Sequence, residues 1–569
     1  MTTSRSLIAA VFVFLTFASI YLVAVVELDN TNIGTTNGLW KTPTIRGWEK
    51  VTGHKLDSGE WLYPPLYGLL CRLIPDRWVS YGIHGPVVTF RKMALLNAMF
   101  GGLASGAVFL LAVRFLVSVF ASLVAVLGHA CAAFVILNSI NSEDIIPAYT
   151  FFVLTVLCLF AYLDSDRIVY FIGSIFCCAM LTLLHWTLMI PTLAGVVSVG
   201  LVLLVEDRRR AWMLPVFFGL FLILLELFRL GFGPSKSSEM KWVLSASQSP
   251  TGSVGFERID SVWHILYPSK TALDGFLGFR WTKVTYAFIG IGNYFLGGRY
   301  VGDYRAAFAD PNSVGWMGMS WLFAMVTLGA LVWASIRRSS TEMVRLLAVF
   351  GLAVFSVGEM EHLYAQPQDP QSQIQPMFAT ILGVIVILEG LRRIDRPYKV
   401  RLLALALGGI FLLAGGYNAL LMLGSRGEDG RFMKEANELA QAFPPETTVM
   451  VTQGWEEWNT WIYAETFGGD WTRYLERNIG LVNGFIRHPG VTPTDVADLM
   501  AKQIADEMAK GHRVVANVVW AGSRDDFAYS LTNVADIEPA RIYTDRLYGA
   551  FRVGRSWDTS AGRFVELQK

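Results

Sequence analysis

The stretch Leu7 to Asn30 reads LIAAVFVFLTFASIYLVAVVELDN. Residues 7–26 form one apolar run, interrupted only by Thr16, Ser19 and Tyr21. At 1.5 Å per residue such a run makes a helix of about 30 Å, the depth of a bilayer's hydrocarbon core. It therefore predicts a membrane span that opens directly onto Glu27 and Asp29. No small-x-small cleavage site precedes Glu27, so an uncleaved first span is expected and not a removed secretory leader. Ten similar runs follow, at 93–113, 117–137, 146–163, 168–184, 186–205, 211–231, 314–335, 343–359, 374–391 and 402–423. Eleven spans are expected in all.

Composition agrees with this reading. Of 569 residues 53% are hydrophobic, mean hydropathy is +0.43, and only 16% are charged, against roughly 25% in an ordinary soluble domain. That excludes a soluble globular enzyme. The net charge of +1 supplies no global field for nucleic acid. Charge is unevenly spread, with 37 charged residues in the 144 from Arg426 onward. The expected division is a membrane domain, 1–424, followed by a soluble α/β domain, 425–569. Four of the five cysteines (Cys131, Cys158, Cys177, Cys178) fall inside apolar runs and Cys71 has no evident partner, so no disulfide framework is expected.

Basic residues set the expected orientation. Arg114, Arg167, Arg208 to Arg210, Arg337, Arg338, Arg392, Arg393, Arg396, Lys399 and Arg401 share alternate short loops, which the positive-inside rule places in the cytoplasm together with the N-terminus. Eleven spans then put the C-terminal domain outside, along with the polar segments 27–92, 138–145, 232–313 and 360–373. The run 286–295 is too short to cross and reads as re-entrant or interfacial. Past Gly424, a helix from about Asp429 to Ala442, a strand at Thr448 to Thr452, a helix at 493–510 capped by Thr492, Pro493 and Asp495, and a strand at Arg513 to Trp520 predict a small parallel or mixed sheet.

Candidate chemistry gathers on the outer side. Asp29, at the mouth of the first span, is placed to accept a proton from a hydroxyl or to bind a metal, or else is simply a hydrated interfacial acid. Glu143 and Asp144 precede a helix, where carboxylates also suit the positive helix end. His185, with Trp186 and Thr187, ends the 168–184 run and is either a ligand or an interfacial hydrogen bonder. The polar series Glu359, Glu361, His362, Gln366, Gln368, Asp369, Gln371, Gln373 and Gln375 lines a watery cavity or a solvated hairpin. The loop 232–313 carries Arg258, Lys270, Arg280, Lys283, Arg299 and Arg305 among aromatics, a composition that binds phosphate and sugar or anchors to lipid headgroups. No HExxH or CxxC spacing occurs. An oxygen-ligand site for a divalent metal, Mg or Mn, with Asp29 and Asp144 as ligands stays open.

Taken together, Glu27 and Asp29 after the first span, the Pro64-Pro65-Leu66-Tyr67 stretch leading to Leu69-Leu70-Cys71-Arg72-Leu73-Ile74-Pro75, Arg91 with Asn97 and Gly101-Gly102, the turn Ser142-Glu143-Asp144, and His185-Trp186-Thr187 resemble the GT-C superfamily of membrane glycosyltransferases, in particular the bacterial protein O-mannosyltransferase-like enzymes. The glycine of the family's Pro-Pro-Gly-Tyr form is absent. The resemblance implies a GT-C-like membrane domain and inverting transfer of a sugar from a polyprenyl-phosphate donor to a glycan, lipid or protein acceptor. It also implies that Asp29 is the base, that Glu143 or Asp144 helps form the acceptor or metal site, and that His185 binds donor phosphate. Arg258, Arg280, Arg299, Arg305, His362 and Gln366 are the further donor-binding candidates, and membrane lipids but no nucleic acid are expected partners. Two other classes fit the composition: a secondary transporter, and a non-catalytic envelope assembly or binding protein using the outer domain. The absence of an internal repeat and the scarcity of mid-span charge disfavour the transporter.

Overall fold

The structure is a computed structural model. It describes residues 3–31, 62–80, 86–116, 118–210, 212–232, 288–295, 311–337, 341–362, 370–393, 397–451, 492–517 and 538–569, together with Ile45, Ile462, Tyr463 and Thr466. The chain forms two compact units, one ending at Arg426 and the other containing Gly427–Lys569 and the described residues of Ile74–Phe90.

The helices are α1 (Thr3–Leu28), α2 (Tyr63–Cys71), α3 (Pro86–Leu116), α4 (Val119–Ala130), α5 (Ala133–Ile140), α6 (Ile145–Ser165), α7 (Ile168–Leu184), α8 (Met189–Glu206), α9 (Met213–Phe232), α10 (Pro311–Ile336), α11 (Glu342–His362), α12 (Pro370–Arg393) and α13 (Pro397–Leu423). Eight of the described helices are long and apolar enough to cross a bilayer, nine if α4 and α5 count as one bent span. The 168–184 and 211–231 runs are also apolar helices, but shorter ones. This is an integral membrane protein.

The run expected to span at 117–137 is made of two helices, α4 and α5, bent by 65° at a short break. Ala132 between them is extended (φ −64°, ψ 136°). A break in a membrane helix exposes carbonyls that lipid cannot satisfy. Here the Tyr21 hydroxyl of α1 donates to Ala130 O at 2.8 Å, and Asn418 Nδ2 of α13 donates to Cys131 O at 3.1 Å. These donors come from helices distant in sequence, so the local pattern could not disclose the bend.

Helix α1 turns Leu7, Phe12 and Val23 outward, each more than half exposed, and buries Ala10, Val13, Ala18, Tyr21 and Val25. That division is what a helix with lipid on one face and protein on the other shows. Its buried face meets α3 at Gly102, where an added Cβ would lie 2.7 Å from Ala18 N. Small residues thus let the two backbones approach closely, which brings the exit of α1 beside the first turns of α3.

In the second unit, α14 (Glu428–Ala442), β1 (Thr448–Val451), α15 (Pro493–Ala509), β2 (Arg513–Asn517), α16 (Glu538–Gly549), β3 (Arg552–Thr559) and β4 (Gly562–Gln568) build a sheet of order β1-β2-β4-β3. β1 and β2 are parallel; the other two pairings are antiparallel. Val514, Val515, Ala516, Val565 and Leu567 are buried in it. Helix α15 opens on a capping box: Thr492 Oγ1 accepts from Asp495 N at 3.2 Å and Asp495 Oδ2 accepts from Thr492 N at 2.9 Å. The mixed sheet matches the expectation, while the β3–β4 hairpin and α16 were not anticipated.

Candidate active site

Asp29 lies one residue beyond α1 with φ at +47°, left-handed backbone that aspartate tolerates better than most side chains. Its carboxylate is ion-paired with the Arg91 guanidinium of α3. The acid is 31% exposed and the cation 6%. A buried cation therefore holds an acid that water and ligand can still reach.

Two residues on, Thr31 O accepts from Ser142 N at 2.7 Å, which ties this segment to the turn between α5 and α6. That turn carries Glu143 and Asp144, both fully buried. It is held from inside by Asn141 Oδ1, which accepts from Glu143 N at 3.1 Å. From outside, Asn97 Nδ2 of α3 donates to Asn141 O at 2.7 Å and to Glu143 O at 2.5 Å. The Tyr67 hydroxyl of α2 in turn donates to Asn97 Oδ1. The rings of Tyr63 and Tyr67 lie 4.2 Å apart, and the Tyr63 hydroxyl reaches Glu143 O at 3.4 Å. Such a buried network is rigid because every partner lost would leave a polar group unsatisfied.

His185, extended at the end of α7, places Nε2 3.8 Å from Asp144 Oδ1 and Nδ1 2.6 Å from Thr187 Oγ1. An imidazole between a hydroxyl and a carboxylate can carry positive charge or pass a proton. The same end of the bundle continues through α12. Gln375 Nε2 donates to Leu188 O and to Thr192 Oγ1, both at 2.9 Å. Two residues earlier, Gln373 Nε2 donates to Glu359 Oε2 at 3.3 Å, and the Tyr294 hydroxyl lies 2.7 Å from Glu359 Oε1 and 2.9 Å from Gln373 Oε1.

Asp29, Glu143, Asp144 and His185 are thus joined by one chain of contacts. Arg258, Arg280, Arg299, Arg305 and Gln366 lie outside the described residues, as does the side chain of His362. Among the described residues no three His, Cys, Asp or Glu side chains gather to hold an ion. Asp29 faces a guanidinium and Asp144 an imidazole. Arg91, Asn97, Tyr67 and Tyr294 were not among the expected site residues. A signal existed for the first two: a cation and an amide at the start of an apolar run are costly unless partnered.

No protein-family model and no curated protein matches the chain. Two solved structures are similar to it: ArnT from Cupriavidus metallidurans bound to undecaprenyl phosphate, with a TM-score of 0.40, and ArnT from Cupriavidus metallidurans in the apo state, with a TM-score of 0.42. Each is 13% identical, and each alignment covers 98% of this chain and 97% of the other. The functional reading rests on the residues of this chain.

Proposed function

We propose that this membrane protein is a glycosyltransferase that moves a sugar from a polyprenyl-phosphate-linked donor to an acceptor hydroxyl at the outer face of a bacterial inner membrane, with inversion at the anomeric carbon. The observation that carries the reading is Asp29: a water-reachable carboxylate at the mouth of a span, oriented by the buried Arg91. In this reading Asp29 takes the acceptor's proton as its oxygen attacks the anomeric carbon. The bond from that carbon to the phosphate oxygen breaks, and its electron pair leaves with the phosphate. His185, beside Asp144, and arginines of the 232–313 segment, with Arg280 and Arg299 first, bind the departing phosphate. Glu143 and Asp144 shape the acceptor side, and the rigid turn keeps both carboxylates at a fixed place relative to Asp29.

The test is transfer of radiolabelled sugar from polyprenyl-phosphate donors by purified protein, with Asp29→Asn beside it and the anomeric configuration of the product read by NMR. A loss of about 10²- to 10⁴-fold is expected, the usual scale for a general base. Undiminished transfer by a folded Asp29→Asn protein would sink the base assignment, and retention of configuration would sink the one-step displacement.

A further inference from the structure

The C-terminal sheet carries cations that the transfer chemistry leaves unused. Arg513 on β2 and Arg552 and Arg555 on β3 have no carboxylate partner among the described residues. Other arginines of the same domain pair readily: Arg431 with Glu428 at 3.3 Å, Arg546 with Asp498 at 2.6 Å and Arg563 with Asp558 at 2.7 Å. Acids are not scarce, since residues 427–569 hold 21 Asp and Glu against 15 Lys and Arg.

Two of these guanidiniums converge on one ring. Arg555 Cζ lies 5.3 Å and Arg513 Cζ 5.7 Å from the centroid of Trp557, within cation–π range. Trp557 is half-buried, edge-on to Phe443 at 5.4 Å, while both arginines are exposed. The strand is built to produce this. Val553 pairs with Leu567 and Ser556 with Val565, so Gly554 and Arg555 together oppose a single residue. Such a bulge re-aims a side chain, and here the bulged residue is the one over Trp557. Gly554 also leaves room for Gln568, whose Nε2 would sit 2.4 Å from an added Cβ.

A guanidinium held over an indole has already lost much of its rotamer freedom, and its N–H edge remains open to a carboxylate or phosphate. The charges of this net-acidic domain act within about a Debye length, about 8 Å, and there repel the further charges of a polyanion. That selects a single anionic group on a neutral body. The Gln568 amide, on the sheet face shared with Arg513, Trp557 and Glu566, donates from Nε2 to Glu566 Oε2 at 3.5 Å and offers its remaining N–H and its oxygen to sugar hydroxyls.

We propose that Arg513, Trp557 and Arg555 form a binding site for an acidic saccharide, a sugar bearing one carboxylate or phosphate, and that this site holds the acceptor glycan. Its role as acceptor site rests on the transferase reading; the binding does not. The test is calorimetric titration of the full-length protein in phosphatidylcholine nanodiscs with a disaccharide bearing one glucuronate. Its carboxyl-reduced counterpart, inorganic phosphate and N-acetylglutamate serve as comparators. The acidic disaccharide should bind, weaken with salt, and bind at least about tenfold less tightly to Arg513→Gln/Arg555→Gln, a loss of about 1.4 kcal/mol. Arg563→Gln should leave binding unchanged, and Arg555→Lys, which keeps the charge without the fork, should fall between.

Equal binding by the double variant, by the neutral disaccharide, or by either small anion overturns the site, as does no binding at millimolar ligand. Binding without transfer from any donor overturns the acceptor role and leaves the site. Normal transfer kinetics in a double variant that no longer binds does the same.

Discussion

At the residue scale, the pairing of Asp29 with Arg91 decides what the site can do. A carboxylate alone at a span's mouth would rotate freely in water. Fixed by a buried guanidinium, it presents one defined direction to a ligand. The pair should therefore act as a unit. Arg91→Gln is expected to lower transfer by about 10- to 100-fold, and adding it to Asp29→Asn should cost little more, because groups that work together are strongly non-additive. A double-mutant cycle on kcat/KM checks this, and fully additive losses would show that the two act independently. Asp29, Glu143, Asp144 and His185 were legible in the sequence because polar residues at the ends of apolar runs stand out. Their mutual arrangement was not, since it depends on Asn97 and Tyr67, whose hydrogen bonds span 30 to 46 positions of sequence.

At the element scale, the approach of α1 to α3 through Gly102 sets the site's dimensions. An added side chain there meets Ala18 backbone and has nowhere to go. Gly102→Val should separate the helices and lower thermal stability in detergent by the equivalent of about 1–3 kcal/mol, the usual cost of overpacking. It should also reduce transfer more than stability alone explains, because Asp29 leaves α1 and Arg91 belongs to α3. Thermal unfolding and activity measured side by side would decide, and wild-type values in both would remove Gly102 from the account. The bend between α4 and α5 teaches the converse. Its apolar sequence reads as a continuous span, yet Tyr21 and Asn418 from other helices satisfy the carbonyls that the break exposes.

At the scale of the whole molecule, a first unit of low charge and a second unit rich in ion pairs should respond differently to acid. In the second unit, burial raises the Glu507 carboxyl, but Lys510 at 2.5 Å and His512 at 2.6 Å outweigh it and hold its pKa below the ordinary value. Asp558 is held down by Arg563, and Asp495 by its bonds to Thr492. A carboxylate with a depressed folded pKa adds stability that is complete above its unfolded value, about 4.3 for glutamate, and is lost as pH falls through the folded value. The second unit should thus lose stability below about pH 4. Glu507→Gln should flatten that acid limb, as followed by thermal unfolding of the full chain against pH; an unchanged limb would show that this pair contributes nothing.

The sequence by itself determined that this is a helical membrane protein with a charged C-terminal α/β domain. Length and apolarity of a run fix whether it suits a bilayer, and both are properties of contiguous residues. It also determined which polar residues stand near the ends of the runs. Only the tertiary structure decided that the 117–137 run is bent, that Asp29 meets Arg91, that Asn97 clamps the acidic turn, and that two arginines share Trp557. Each of these depends on partners distant in the chain, and a buried polar group takes whichever partner the packed fold delivers, which no local pattern encodes.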